Sequence, residues 1–124
     1  MIMRIELFVK NLNDSVKFYT DVLGFTKGKE SDKYISMRNG DAVIGLGVLS
    51  LLDDNHYLKP GSESERKGVC VEIVFEVDDI KTYVNKIQNS NHPIETGVTV
   101  RPWGATDFRI VDPDGYYIRV TSKN

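Results

Sequence analysis

The sequence of 124 residues predicts an α+β fold in which one βαβββ module is written twice. Three observations carry this reading. Apolar residues alternate with other residues at 5–9 and again at 71–77. Each alternating run is followed by an apolar stripe at helical spacing. A hairpin turn signal then closes each unit, at Asn39-Gly40 and at Asp114-Gly115.

In module one, about 1–50, Ile5, Leu7 and Val9 take one face of a strand and Arg4, Glu6 and Phe8 the other. Asn11-Leu12-Asn13-Asp14-Ser15 is rich in helix caps, and Leu12, Val16, Tyr19 and Leu23 give the stripe, with Gly24 placed to end the helix. Strands are expected near 25–30, 33–38 and 42–49. In module two, about 69–124, Val71, Ile73, Phe75 and Val77 alternate with Cys70, Glu72, Val74 and Glu76. Asp78-Asp79 caps a helix carrying Ile80, Val84 and Ile87, which Asn89-Ser90-Asn91 and Pro93 break. Strands follow near 94–100, 106–111 and 116–121. Order, caps and turns all agree between the halves, which favours duplication over a chance likeness. Between them, residues 51–68 form a polar connector containing Asp53, Asp54, Asn55, Pro60, Gly61, Ser62, Glu63 and Ser64. It reads as a mobile linker, or as a flap over a pocket or an arm to a second subunit.

Composition narrows the function classes. With 40% apolar and 27% charged residues the chain is expected to be globular, as a single domain over 1–124. A net charge of -2 without a basic stripe argues against nucleic acid. No apolar run approaches the roughly 20 residues of a membrane span, and the start lacks the apolar centre of a signal peptide. Cys70 is the only cysteine, so no intrachain disulfide forms and a reducing cytoplasm is the expected setting.

Two motifs add a resemblance. Val9-Lys10-Asn11-Leu12-Asn13-Asp14-Ser15-Val16-Lys17-Phe18-Tyr19 closes with Val22-Leu23-Gly24-Phe25, and Arg101-Pro102-Trp103-Gly104 precedes Asp112-Pro113-Asp114-Gly115-Tyr116. In this order, over essentially the whole chain, they resemble the glyoxalase, bleomycin-resistance and extradiol-dioxygenase group, the vicinal oxygen chelate superfamily. The resemblance implies that the modules make a curled mixed sheet, a half-barrel cup with helices on its outer face, which holds a small organic ligand. It also implies a homodimer whose shared clefts complete the site. With the helices so placed, Ile5, Leu7, Val9, Val71, Ile73, Phe75, Val77, Ile118 and Val120 should pack under them. Arg4, Glu6, Phe8, Cys70, Glu72, Val74, Glu76, Tyr117 and Arg119 should face the cup.

Metal-using members of that group place a ligand, usually His or Glu, on each of four strands. Carried over position by position, the resemblance puts Arg4, Gly45, Glu72 and Arg119 at those places. Arginine offers no lone pair and glycine no side chain, so one competent ligand remains where about three are needed. His56 and His92 read as surface residues. Arg4, Glu72 and Arg119 should instead converge as an Arg–Glu–Arg cluster, either purely structural or with one arginine free for an anionic or carbonyl oxygen. The expected ligand-binding set is Arg4, Glu6, Phe8, Glu72, Trp103, Tyr117 and Arg119, with no metal and no cofactor, and Glu72 as the one catalytic candidate. Gly45 and Gly47 either leave room for something close or mark a sheet bend. Trp103 either seals the sheet edge or sandwiches a flat ligand, and Cys70 reads as buried filler. The alternative is a lyase, isomerase or dioxygenase whose divalent metal binds through Glu72 and a misaligned residue, Glu6 first among them.

Overall fold

Alternation in the sequence becomes one-sided burial in the computed structural model, which describes residues 1–62 and 64–123. Glu63 of the connector and Asn124 lie outside the described residues. The chain runs β1 (Ile5–Val9), α1 (Leu12–Asp21), β2 (Thr26–Glu30), β3 (Tyr34–Asn39) and β4 (Ala42–Val48), then a 3-10 turn at Leu49–Leu51. It continues as β5 (Glu72–Val77), α2 (Ile80–Ser90), β6 (Thr96–Val100), β7 (Thr106–Val111) and β8 (Tyr117–Ser122). The α+β duplication is therefore as expected: two helices and two four-stranded mixed sheets, ordered β1-β4-β3-β2 and β5-β8-β7-β6. In each, the first strand pairs in parallel with the last and the others pair antiparallel. Neither sheet closes into a barrel.

Caps fix the helices. The Asn11 side chain accepts from the Asp14 amide at 3.0 Å, and Asp79 accepts from the Lys81 amide at 3.1 Å. Beyond α1, Gly24 takes φ 72°, and α2 ends on Asn91 at φ 59°. α1 packs on β3 and β4, and α2 on β8. Leu7, Val9, Ile35, Met37, Ile44 and Leu46 of the first sheet join Ile73, Phe108, Ile110, Ile118 and Val120 of the second in one core with both helices. The apolar faces of both sheets thus turn inward, and their other faces, here called the open faces, turn outward.

Polar ties lock this arrangement. Tyr19 on α1 donates its hydroxyl to buried Asp112 at 2.8 Å, and Asp112 also accepts from the Asp114 and Tyr116 amides. Asp114 in turn accepts from the Lys10 amide at 2.8 Å, and the Tyr116 hydroxyl donates to the Phe8 carbonyl at 2.9 Å. The β7–β8 turn, which the sequence marks only as a hairpin, is therefore a clamp on module one.

Three expectations need correction. Residues 69–71 do not extend β5: Gly68 at φ 68° and Cys70 at φ 67° form a turn, closed by the Val71 amide on the Gly68 carbonyl at 3.0 Å. Val71 is accordingly 51% exposed instead of packed under a helix, and Cys70 is exposed instead of buried filler. His92 is half-buried rather than a plain surface residue: its Nε2 lies 2.8 Å from the Val111 carbonyl and its ring stands edge-on to Phe18 at 4.8 Å. At the connector's end, Arg66 and Gly68 lie against Gly115 and Tyr116.

Burial pushes the Asp112 carboxyl up from 3.8 to about 6, against the opposing pull of its hydrogen bonds from Tyr19, Tyr116 and Asp114. A carboxyl whose pKa is raised by folding binds its proton more tightly in the native state. Its contribution is fully present below the unfolded pKa and is lost as pH rises through the folded one. Urea denaturation across this window should show stability falling between pH 4 and 6, by on the order of 3 kcal/mol at most from this group. In Asp112→Asn that part of the slope disappears; an unchanged slope would assign it elsewhere.

Candidate functional site

Strand parity puts the chemistry on the open faces. On the first sheet, Glu6 of β1 stands beside Gly45 of β4, which stands beside Ser36 of β3. Because Gly45 has no side chain, the Glu6 carboxylate lies flat across β4 and reaches the Tyr34 hydroxyl of β3, which donates at 3.0 and 3.1 Å. A Cβ on Gly45 would land on the Glu6 carboxylate and the Tyr34 hydroxyl. Gly47 plays the same part for Phe8, whose ring would meet a Cβ there at 3.1 Å. The room left by the paired glycines is thus filled by the chain's own side chains. Arg4 pairs with Glu6 through Nε at 2.9 Å. Burial, followed by the bond to Glu6, raises the Tyr34 phenol above its ordinary range.

The second open face carries a larger charge network. Arg109 on β7 stands directly opposite Arg119 on β8, and like charges so placed repel. Glu72 bridges them. Its Oε2 accepts from Arg109 Nε at 3.2 Å, and its Oε1 lies 3.2 Å from Arg119 Nε. Asp107, fully buried, takes Arg101 in a fork, from Nε at 3.0 Å and Nη2 at 2.8 Å, and accepts Arg109 Nη1 at 3.2 Å. The bond to Asp107 raises the Arg101 pKa further. Arg101 and Arg109 are thus committed. Arg119 is held more loosely: it keeps an ion pair with Glu72 that lacks hydrogen-bond alignment, and among the described residues its buried Nε has no hydrogen-bond partner. Tyr117 lies beside Glu72 in the ladder.

The expected candidates are therefore distributed as follows. Glu72 and Arg119 meet, and so do Arg4 and Glu6. Arg4 does not join Glu72 within one chain, because their sheets share a core and face outward; Arg109 takes the second-arginine place. Phe8 and Tyr117 are half-buried on the open faces, whereas Trp103 sits in the tight turn after β6 and is 59% exposed. Asp107, Arg109, Arg101 and Tyr34 were missed. Asp107-Phe108-Arg109-Ile110 alternates charge with bulk, a signal that places both charges on the open face.

Metal fits these residues poorly. The strand equivalences hold: Val9 pairs with Val48 as Val77 pairs with Ser122, so Arg4 and Gly45 match Glu72 and Arg119. Of the four, only Glu72 is a ligand type, and two guanidiniums already hold it. Among the described residues no three of His, Cys, Asp and Glu group around a common point. No helix of the described residues is long and apolar enough to cross a membrane.

Three comparisons bear on this architecture. The family model described as Glyoxalase/Bleomycin resistance protein/Dioxygenase superfamily matches residues 2–120. No curated protein matches the chain. Among solved structures, virulence protein STM3117 from Salmonella typhimurium is 21% identical with a TM-score of 0.76, covering 100% of this chain and 97% of its own. Lactoylglutathione lyase from Agrobacterium tumefaciens is 20% identical with a TM-score of 0.72, covering 98% and 92%. TioX from Micromonospora sp. ML1 is 14% identical with a TM-score of 0.75, covering 100% and 97%. At such identities these likenesses speak to the fold alone.

The Glu6–Tyr34 arrangement makes a specific prediction. Gly45→Ala should cost about 1 kcal/mol in urea denaturation, since the displaced Glu6 carboxylate can swing to solvent but loses its hydrogen bond. In a Glu6→Ala, Tyr34→Phe background, which clears both contacts, the same substitution should become neutral or stabilising, because alanine suits a strand better than glycine. Equal costs in both backgrounds would mean that the Glu6 carboxylate and the Tyr34 hydroxyl do not occupy the space over Gly45.

Proposed function

Since this chain belongs to the Glyoxalase/Bleomycin resistance protein/Dioxygenase superfamily, we propose that it is a metal-free member that binds or sequesters a small organic anion. The observation that carries the reading is the replacement pattern on the second open face. Where metal chemistry needs lone-pair donors, the chain has guanidiniums, and among the described residues Arg119 beside Glu72 has a buried Nε without a hydrogen-bond partner. A carboxylate or enolate oxygen is the partner such a group selects.

The same reading takes the protein as a homodimer. In one chain the two open faces point away from a shared core. A ligand held at Arg119 is enclosed only when the first open face of a second copy, with Arg4, Glu6 and Phe8, lies over it. The first strand of each sheet, β1 and β5, has a free edge for such a contact. The setting this reading assumes is the reducing cytoplasm, where exposed Cys70 stays a thiol.

One observation favours a second reading. The Glu6 carboxylate fills the space a side chain at position 45 would occupy, so it stands in for a ligand there. With Glu72 from the facing sheet, two carboxylates would then face each other across the cleft, a start toward the metal site of a lyase, isomerase or dioxygenase.

Elemental mass spectrometry after separate incubation with Ni²⁺, Mn²⁺, Zn²⁺ and Fe²⁺ and desalting separates the readings. The metal-free reading expects no retained metal; near-stoichiometric metal that vanishes in Glu72→Ala and Glu6→Ala would overturn it. Light scattering at micromolar concentration should give twice the chain mass. In a thermal-shift panel of small carboxylates, a binder at one hundred times its Kd should stabilise by about 2.7 kcal/mol, and Arg119→Gln should remove most of that shift.

A further inference from the structure

The duplication allows each tie in one half to be compared with its twin in the other. Register makes Val9 equivalent to Val77 and Val48 to Ser122. Counting back along β4 and β8, Ala42 is the twin of Tyr116, and along β1 and β5, Glu76 is the twin of Phe8. Tyr116 plugs the gap at the end of β1 by packing its ring beside Gly68 and donating its hydroxyl to the Phe8 carbonyl. At the twin place Ala42 has neither ring nor hydroxyl, and among the described residues no side chain bonds the Glu76 carbonyl. A cavity of about 500 Å³ remains there, between the β3–β4 turn and the end of β5. That volume is ample for a small molecule.

Its walls state what would fill it. Phe25 and Phe75, ring centroids 5.5 Å apart, stand with Tyr83 and Val77 on the apolar side. Asp41, Glu76 and Asp78 ring the polar side, and the one cation among the lining residues is Lys123. Lys123 Nζ lies 2.9 Å from Asp78 Oδ1, and the charges of Glu76 and Asp41 also favour its protonated form. The chain's own ammonium shows that this rim attracts one. We infer that the cavity between Ala42 and β5, at the far rim of the second open face and apart from the Arg119–Glu72 contact, is a second binding site for a small arylalkyl ammonium. The aryl group takes the place Tyr116 fills in the other half, and the ammonium meets Glu76 and Asp41, partly in exchange for Lys123.

Amide NMR of the full chain, titrated with 2-phenylethylammonium and with 3-phenylpropionate, tests this. The ammonium should shift residues 39–42, 74–79 and 83, and the near-isosteric carboxylate should bind roughly tenfold more weakly, a difference of about 1.4 kcal/mol. Ala42→Tyr, which restores the plug, should abolish the shifts, and Lys123→Ala should strengthen binding severalfold. Should Ala42→Tyr fail to fold, Asp41→Asn with Glu76→Gln should weaken the ammonium while leaving 3-phenylpropionate no worse bound. Equal binding of the two probes, shifts confined to the surroundings of Arg119–Glu72 or Glu6–Tyr34, no shifts at all, or full binding by a folded Ala42→Tyr would each overturn the inference.

Discussion

Most of this structure depends on where one buried carboxylate sits. Asp112 gathers the Tyr19 hydroxyl and two amides of its own turn, and so pins the β7–β8 turn of module two against α1 of module one. Asp114 and Tyr116 add their bonds to the end of β1 from the same turn. With the turn held there, the apolar faces of both sheets have one place to go, a common core. The outward direction of the charged faces follows from that. A single turn thereby sets which residues can meet within a chain and which need another chain.

Much of this was legible in the sequence, because a period of two or of 3.6 reports directly which side of an element is buried. The strands and helices lie within a few residues of their expected places. The failure at 69–71 has a physical cause: Val69 and Val71 continue the alternation of β5, but the positive φ of Gly68 and Cys70 turns the chain away first. Parity also placed Arg4, Glu6, Glu72, Tyr117 and Arg119 on the open faces. Partners were less legible. Arg109 is the side chain that Glu72 actually grips, and that depends on β7 lying beside β8, a register no local pattern reveals. Nor could the sequence show that Gly45 exists to let Glu6 cross its strand, since absence of a side chain has no signature until its neighbour is seen in the gap.

The second open face solves an electrostatic problem that a metal site would pose in reverse. Three guanidiniums, from Arg101, Arg109 and Arg119, share two carboxylates, from Asp107 and Glu72. Asp107 is buried beyond reach of solvent and has two arginine partners, so removing both would strand a charge at a cost of about 3–5 kcal/mol. Glu72 is closer to water and holds its two partners less rigidly. The network is therefore stiff at its Asp107 end and adjustable at its Arg119 end, the arrangement expected where a scaffold must stay fixed while one cation changes partners.

The four outer strands differ in a way that bears on solubility. β2 and β6 each carry a register shift in their pairing, and such bulges twist an edge so that a stray strand cannot dock along it. β1 and β5 pair without interruption and keep regular outer edges. What guards them is charge, Arg4 and Glu6 on one and Glu72 and Glu76 on the other, beside exposed Val71 and Val74. The residues that form the charge pairs of the open faces are thus also the ones that keep two flat edges from indiscriminate strand addition. Drift toward apolar side chains on these faces would leave both edges open to aggregation.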